Sequence, residues 1–142
     1  QFASVEKICL NEILYCYLDD YQEVYDYKGI TLDVHEKNTF NITMNGTLAV
    51  VLITNLLKNA FVHNIYKGKI QIEITSSNIR FGNTGKDEHL DEKHIFERFY
   101  QGSKKEGSTG LGLAIVDAIC RQSQLSIQYQ FVKGWHWFDI SC

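Results

Sequence analysis

Two asparagines, Asn55 and Asn59, stand four residues apart in an apolar run that begins near Leu48. On a helix that spacing puts both on one face, one turn above the other. A buried amide costs free energy unless its hydrogen bonds are met. The pair therefore either satisfies itself within the core or faces a polar ligand, a metal or ordered water. A feature downstream favours the ligand: Gly107, Gly110 and Gly112 precede and open the last helical stretch. Glycines at a helix start let the backbone approach a ligand, and the free N–H groups and positive end of the helix dipole attract phosphate. These glycines follow no strand directly, as a dinucleotide fold requires, and the Gly-x-x-x-x-Gly-Lys-Ser/Thr spacing of a P-loop is missing. What remains is a phosphate cradle of another kind.

Hydrophobic periodicity supplies the elements that must position these residues. Val5, Ile8, Cys9, Ile13, Leu14, Tyr17 and Leu18 recur at threes and fours, which predicts a first amphipathic helix over residues 5–25. Cys9 and Cys16 then share a face as packing residues. Ile30, Leu32 and Val34, then Phe40, Ile42 and Met44, alternate with polar residues and predict two short strands joined as a hairpin. Asn45 or Thr47 can cap the asparagine-bearing helix, which runs to about residue 64. Further alternation at Ile70, Ile72 and Ile74, at Ile79 and Phe81, at Leu125, Ile127, Tyr129 and Phe131, and at His136, Phe138 and Ile140 adds more strands, each with one wet face. Helices on one face of such a sheet make a two-layer α+β sandwich. Trp135 and Trp137 fall on its more exposed face, where they can pack together or against a missing neighbour. Residues 83–110 are charged and irregular around an apolar island at Ile95, Phe96 and Phe99, and a loop of this length in a compact domain is usually functional or mobile.

Length and composition bound the class. The 142 residues, 44% hydrophobic and without proline, suit one well-cored domain over residues 1–142 with no linker to split it. A formal charge of −3 with scattered Lys and Arg offers nucleic acid no basic stripe. No apolar run reaches a membrane span, and the first residues lack the order of a signal peptide, so a soluble piece is expected. Cys9, Cys16, Cys120 and Cys142 lie far apart without C-x-x-C spacing, which argues against zinc and a disulfide framework and fits reduced thiols in the cytosol.

Four stretches, in order, carry a resemblance over essentially the whole chain. Asn-Leu-Leu-Lys-Asn-Ala at 55–60, Asn-Thr-Gly at 83–85, Ile-Phe-Glu-Arg-Phe-Tyr-Gln at 95–101 and the glycine-rich 107–116 resemble the N box, first glycine box, F box and second glycine box of the catalytic, ATP-binding domain of sensor histidine kinases. The wider group holds gyrase, the Hsp90 chaperones and MutL. The resemblance implies a Bergerat fold, about three helices on one face of a mixed, mostly antiparallel sheet of five or more strands, with residues 86–106 as the ATP lid. It also implies ATP and Mg²⁺ as ligands, with Asn59 holding the metal and Asn55 and His63 lining the cleft. Asn83 then accepts a hydrogen bond from the adenine amino group where the family usually has an aspartate, Gly85 lets the backbone pass the base, and Thr109, Gly110, Leu111, Gly112 and Leu113 surround the phosphates. Arg98 becomes the candidate for γ-phosphate charge, so that Asn59 and Arg98 are the expected catalytic pair.

By the same resemblance the γ-phosphoryl group goes to a histidine on a dimerisation domain absent from these residues, and then to a response regulator receiver domain. The whole protein is expected to be a homodimeric inner-membrane sensor with this domain in the cytoplasm, itself without direct membrane contact. Val62 stands where a lysine is frequent, Asp87 and Ser108 where glycines are, and Gln101 where an arginine is. These departures keep a degenerate nucleotide sensor as an alternative. A hydrolytic ATPase or conformational switch like gyrase is the other, but those relatives place a glutamate base where this chain has Asn55. An amide cannot take that proton. Phe96 and Phe99 read equally as core contacts or lid latches, while His89, His94, Lys104 and Lys105 read as solvated.

Overall fold

Alternating isoleucines build the sheet from its middle outward. The computed structural model describes residues 4–86, 90, 94–97 and 112–142. Strands β1 (Glu6–Cys9), β2 (Thr31–Glu36), β3 (Asn41–Met44), β4 (Lys69–Ile74), β5 (Asn78–Thr84), β6 (Ser126–Val132) and β7 (Trp135–Ser141) accompany helices α1 (Leu10–Val24), α2 (Gly46–Val62) and α3 (Gly112–Gln122). Five strands form one sheet in the order β2-β4-β5-β7-β6. Only β2 and β4 run parallel, and the other pairings are antiparallel. A parallel pair needs a crossover, and here β3 and α2 lie between its two strands in sequence.

On the inner face Ile72 pairs with Phe81 and Phe81 with Phe138, while Ile74, Ile79 and Ile140 form the adjoining row. All are buried, with Leu52, Ile53, Leu56 and Leu57 of α2 in the same cluster. Each such side chain contributes about 1.5–3 kcal/mol when fully buried, so α2 is held by the packing of its buried face. It lies between α1 and α3. Of its two candidate caps Asn45 serves, its side-chain oxygen accepting from the Leu48 N–H at 3.0 Å.

The other face is wetter, as the alternation requires. Trp135 and Trp137 stack there with ring centroids 5.7 Å apart and planes 18° from parallel. Arg80 lies 4.3 Å over the Trp137 ring and bridges Glu73 and Asp139. Gly82 makes that arrangement possible, because a Cβ there would stand 2.5 Å from the indole.

Two expectations fail in the first third. Residues 6–9 are not helix but strand, pairing antiparallel with β3 so that Ile8 meets Ile42; α1 starts only at Leu10. Helical periodicity in so short a stretch is overridden by a pairing that satisfies two backbones at once. Cys9 thus shares no helix face with Cys16, which is exposed on α1. Nor do β2 and β3 form a hairpin, since they belong to different sheets. The buried side chain of Asn11 holds their connection open, accepting from the Phe40 N–H at 2.9 Å and donating to the Asn38 carbonyl at 3.0 Å and to the Glu36 carboxylate.

Candidate functional site

The polar face of α2 is set by its own register. Asn55, Asn59 and His63 recur every four residues and are each half-buried, beside a face of the helix that is sealed by Leu52, Ile53, Leu56, Leu57 and Ala60. Asn55 donates its Nδ2 to the Val51 carbonyl at 2.8 Å, which orients its oxygen outward from the helix. That oxygen faces the first residue of α3, where a Cβ on Gly112 would lie 3.2 Å away. The Asn59 side chain makes no hydrogen bond among the described residues. His63 closes the helix, its N–H donating to the Asn59 carbonyl at 3.1 Å.

The end of β5 meets this helix from the sheet side. Asn83 is 2% exposed, and its Nδ2 donates to the Thr84 carbonyl at 2.9 Å. An amide whose nitrogen is committed in this way offers its oxygen as an acceptor. Gly85 follows immediately. A Cβ there would come within 2.9 Å of the His63 carbonyl and 3.2 Å of the His136 ring, so only glycine lets the strand exit pass so close to the helix end. Gly112, with Leu113 packed against the core, begins α3 and brings the free N–H groups of a helix start to the same region.

The structure therefore brings Asn55, Asn83, Gly85, Gly112 and Leu113 around the C-terminal half of α2, with Asn59 and His63 on the intervening turns. Arg98, Thr109, Gly110 and Leu111 lie outside the described residues, as do Phe99, Asp87, His89, Gln101, Lys104, Lys105, Gly107 and Ser108. Of the apolar island, Ile95 is buried, and Phe96 meets Phe138 edge-on at 6.3 Å, so the described part of the F box docks on the core. His94 is half exposed and pairs with Glu97 at 2.7 Å.

Sequence reasoning missed a polar knot beneath the site. Lys28 is buried, and its ammonium donates to the carbonyls of Phe61, Val62 and Asn64 at 2.9, 3.0 and 3.2 Å. These are carbonyls at the end of α2, and a cation there also suits the negative end of the helix dipole. Asn64 joins that helix end to the sheet, accepting from the Thr84 hydroxyl at 2.7 Å and donating to the Lys69 carbonyl at 3.0 Å. Nothing in the linear sequence couples residue 28 to residue 61. Asn64, by contrast, was visible as one more asparagine at the end of an apolar run.

Comparison with known proteins bears on this geometry directly. Residues 44–134 match the family described as Histidine kinase-, DNA gyrase B-, and HSP90-like ATPase. The sensor histidine kinase RppB of Synechocystis sp. is 36% identical over 94 residues, covering 58% of this chain and 21% of that protein. The heme sensor protein HssS of Staphylococcus aureus is 30% identical over 129 residues, covering 87% of this chain and 28% of that protein. The chain thus spans less than a third of the length of either relative. The catalytic domain of histidine kinase ThkA superposes with a TM-score of 0.81 at 20% identity, over 96% of this chain and 93% of that one. For the mycobacterial sensor histidine kinase MprB the TM-score is 0.78 at 17% identity, over 96% and 95%. At those identities the superpositions speak for the fold, a helical layer on one face of a mixed sheet. With well over half of its residues inside the matched region, the chain belongs to the histidine kinase-, DNA gyrase B- and HSP90-like ATPase family, and its relatives set it among the ATP-binding catalytic domains of sensor histidine kinases.

Proposed function

We propose that this domain holds Mg-ATP against the polar face of α2 and delivers the γ-phosphoryl group to a histidine on a separate dimerisation domain of the same protein. One observation carries the reading: a described glycine from each glycine box abuts the N-box helix, Gly112 against Asn55 and Gly85 against His63. Adenine would lie at the sheet end, its amino group donating to the Asn83 oxygen. Phosphates would lie at the α3 end, receiving N–H groups from residues 110–113, while Arg98 would be the candidate to meet γ-phosphate charge.

The residues present fit Mg²⁺. Hard cations of this kind take oxygen ligands, keep waters and draw the rest from phosphate. Among the described residues Asn59 offers an amide oxygen with no competing bond, and no cluster of three or more His, Cys, Asp or Glu would hold a different metal alone. Mg²⁺ bound there would offset the phosphate charge. Asn55 argues for transfer over hydrolysis, because its amide is already bonded to Val51 and cannot act as a base on water. A histidine needs no such base, being itself a nucleophile. Catalysis then rests on alignment and charge stabilisation. The phosphoryl group would pass onward to a response regulator receiver domain, and the whole protein would be a homodimeric inner-membrane sensor with this domain on its cytoplasmic side.

The test is incubation of the chain with radiolabelled ATP and Mg²⁺, alone and with the helices that carry the acceptor histidine. The expected result is no label on the chain alone and acid-labile label on the added helices. Label on the chain itself, or none on the helices although ATP binds, would overturn the transfer reading. Calorimetric titration with a non-hydrolysable ATP analogue, with and without Mg²⁺, separates binding from transfer; affinity that does not depend on Mg²⁺ counts against Asn59 as a ligand.

A further inference from the structure

Beside the site, on the helix-covered face of the sheet, one buried polar pair has no part in the contacts just assigned. His136 of β7 is 5% exposed and Tyr129 of β6 is 8% exposed, with rings stacked at 5.9 Å and 19° from parallel. The Tyr129 hydroxyl lies 2.7 Å from His136 Nδ1. On the other side of the ring, His136 Nε2 lies 2.7 Å from the Lys86 carbonyl. The Leu90 N–H donates to the Tyr129 oxygen at 3.1 Å.

These contacts have a fixed direction. A carbonyl only accepts, so Nε2 carries the proton given to Lys86; in the neutral ring Nδ1 is then an acceptor. It accepts a hydrogen bond from the phenolic O–H, and the phenolic oxygen accepts one from the Leu90 N–H. The buried pair is thus tied at both ends to backbone, at Lys86 and Leu90, the two described residues that bracket the start of the segment expected to form the lid. Its neighbours point to the same role. His136 is the cross-strand partner of Asn83, and its ring is one of the groups a Cβ on Gly85 would strike.

We infer that Tyr129 and His136 are positioning residues for the nucleotide, anchoring the chain where it leaves β5 so that Asn83 and Gly85 are held in place for the base. The inference rests on the nucleotide reading above. Phe131, with its ring 4.8 Å from that of His136, supports the pair by packing.

Three variants of the chain separate anchoring from general stability. Tyr129→Phe keeps the ring and removes the hydroxyl that serves both Leu90 and His136. His136→Phe keeps aromatic bulk and removes both bonds of the imidazole. His136→Gln keeps a side-chain N–H of similar reach for Lys86. In Tyr129→Phe, amide hydrogen exchange at Leu90, read by NMR without nucleotide, should accelerate by about tenfold. ATP affinity should fall by about five- to tenfold. His136→Phe should lose at least as much, and His136→Gln should return to within about twofold of the parent. Leu90 exchange unchanged in Tyr129→Phe, or ATP affinity kept in both aromatic variants whatever their melting temperatures, overturns the inference. A parent chain that binds no ATP overturns the nucleotide reading and the positioning role with it, while Leu90 exchange still reports separately on the anchor.

Discussion

Asn59 and Asn64 lie five residues apart at the same end of α2, yet they spend their polarity in opposite ways. Asn64 is 1% exposed and uses its full capacity: its nitrogen donates to Ala60 and Lys69, and its oxygen accepts from Ile65 and Thr84. Lys28 completes the knot with three carbonyls. Asn59 is half-buried and uses none of its capacity among the described residues. A buried polar network that is fully satisfied fixes one arrangement of the chain. An amide left open at the edge of a core does nothing for the fold and is available to a ligand. One region is the foundation and the other the candidate binding face, and residue type alone does not tell them apart.

Breaking the foundation should have the largest effect. A Cβ on Gly68 would stand 2.0 Å from the Asn64 oxygen and 2.9 Å from the Ile65 carbonyl, with the Thr84 hydroxyl at 2.6 Å. The Ile65 carbonyl is backbone and cannot swing aside. Gly68→Ala should therefore cost about 3 kcal/mol or more, measured by urea unfolding. Lys28→Met comes next, at about 2–4 kcal/mol, because three carbonyls lose the ammonium in a place closed to water, while that of Phe61 keeps a backbone donor. A midpoint equal to the parent's would mean that the end of α2 needs no cation.

Asn59→Ala tests the other side of the contrast. Stability should stay within about 0.5 kcal/mol of the parent, since no internal bond is lost. Mg-nucleotide affinity, measured by calorimetry, should drop by about tenfold or more, because a ligand oxygen is removed. Should Asn59→Ala unfold as readily as Lys28→Met, the two regions would not differ in kind and Asn59 would be structural.

The contrast also explains what the sequence could convey. The alternation of Ile70, Ile72 and Ile74 announced its strand, and the polar interruptions at Asn55 and Asn59 announced the polar face of α2, because both signals lie within one element. The foundation joins elements far apart in sequence. Lys28 reaches residues 61–64, Asn11 reaches residues 36–40, and β2 pairs in parallel with β4 across an intervening helix. No local periodicity encodes such pairings, which is why residues 5–9 read as helix and β2 with β3 as a hairpin. Of the candidate site, Asn55, Asn59 and Gly112 were legible from type and spacing, whereas Asn83 and Gly85 entered only through the resemblance of residues 83–85 to the family's first glycine box. The relay of Tyr129 and His136 was not, since each residue reads only as one more inward position of its strand.

The smallest effect concerns a cysteine that reports on both regions at once. Cys120 sits on α3, eight positions beyond Gly112, and is buried, while Cys16 and Cys142 are exposed. Burial, with a smaller contribution from the charge of Asp117, pushes its thiol from 9.0 up to about 12. A folded-state pKa raised above the unfolded one means that the native chain holds this proton more tightly. The stability it contributes is thus complete below about pH 9 and is lost as pH rises from there toward about 12. At pH 8 the thiolate is scarce and shielded, so a thiol reagent should label Cys120 about a hundredfold or more slower than Cys16. Labelling then proceeds through opening of α3 or of the whole chain. Gly68→Ala and Lys28→Met should speed it in step with their lost stability, whereas Asn59→Ala should leave it unchanged. Added Mg-nucleotide should slow it, because a ligand that binds at the Gly112 end stabilises the closed form, and that slowing should vanish in Asn59→Ala. Equal labelling of Cys120 and Cys16 in the parent would contradict the packing of α3, and slowing by nucleotide that persists in Asn59→Ala would show that the open amide is not where the ligand is held.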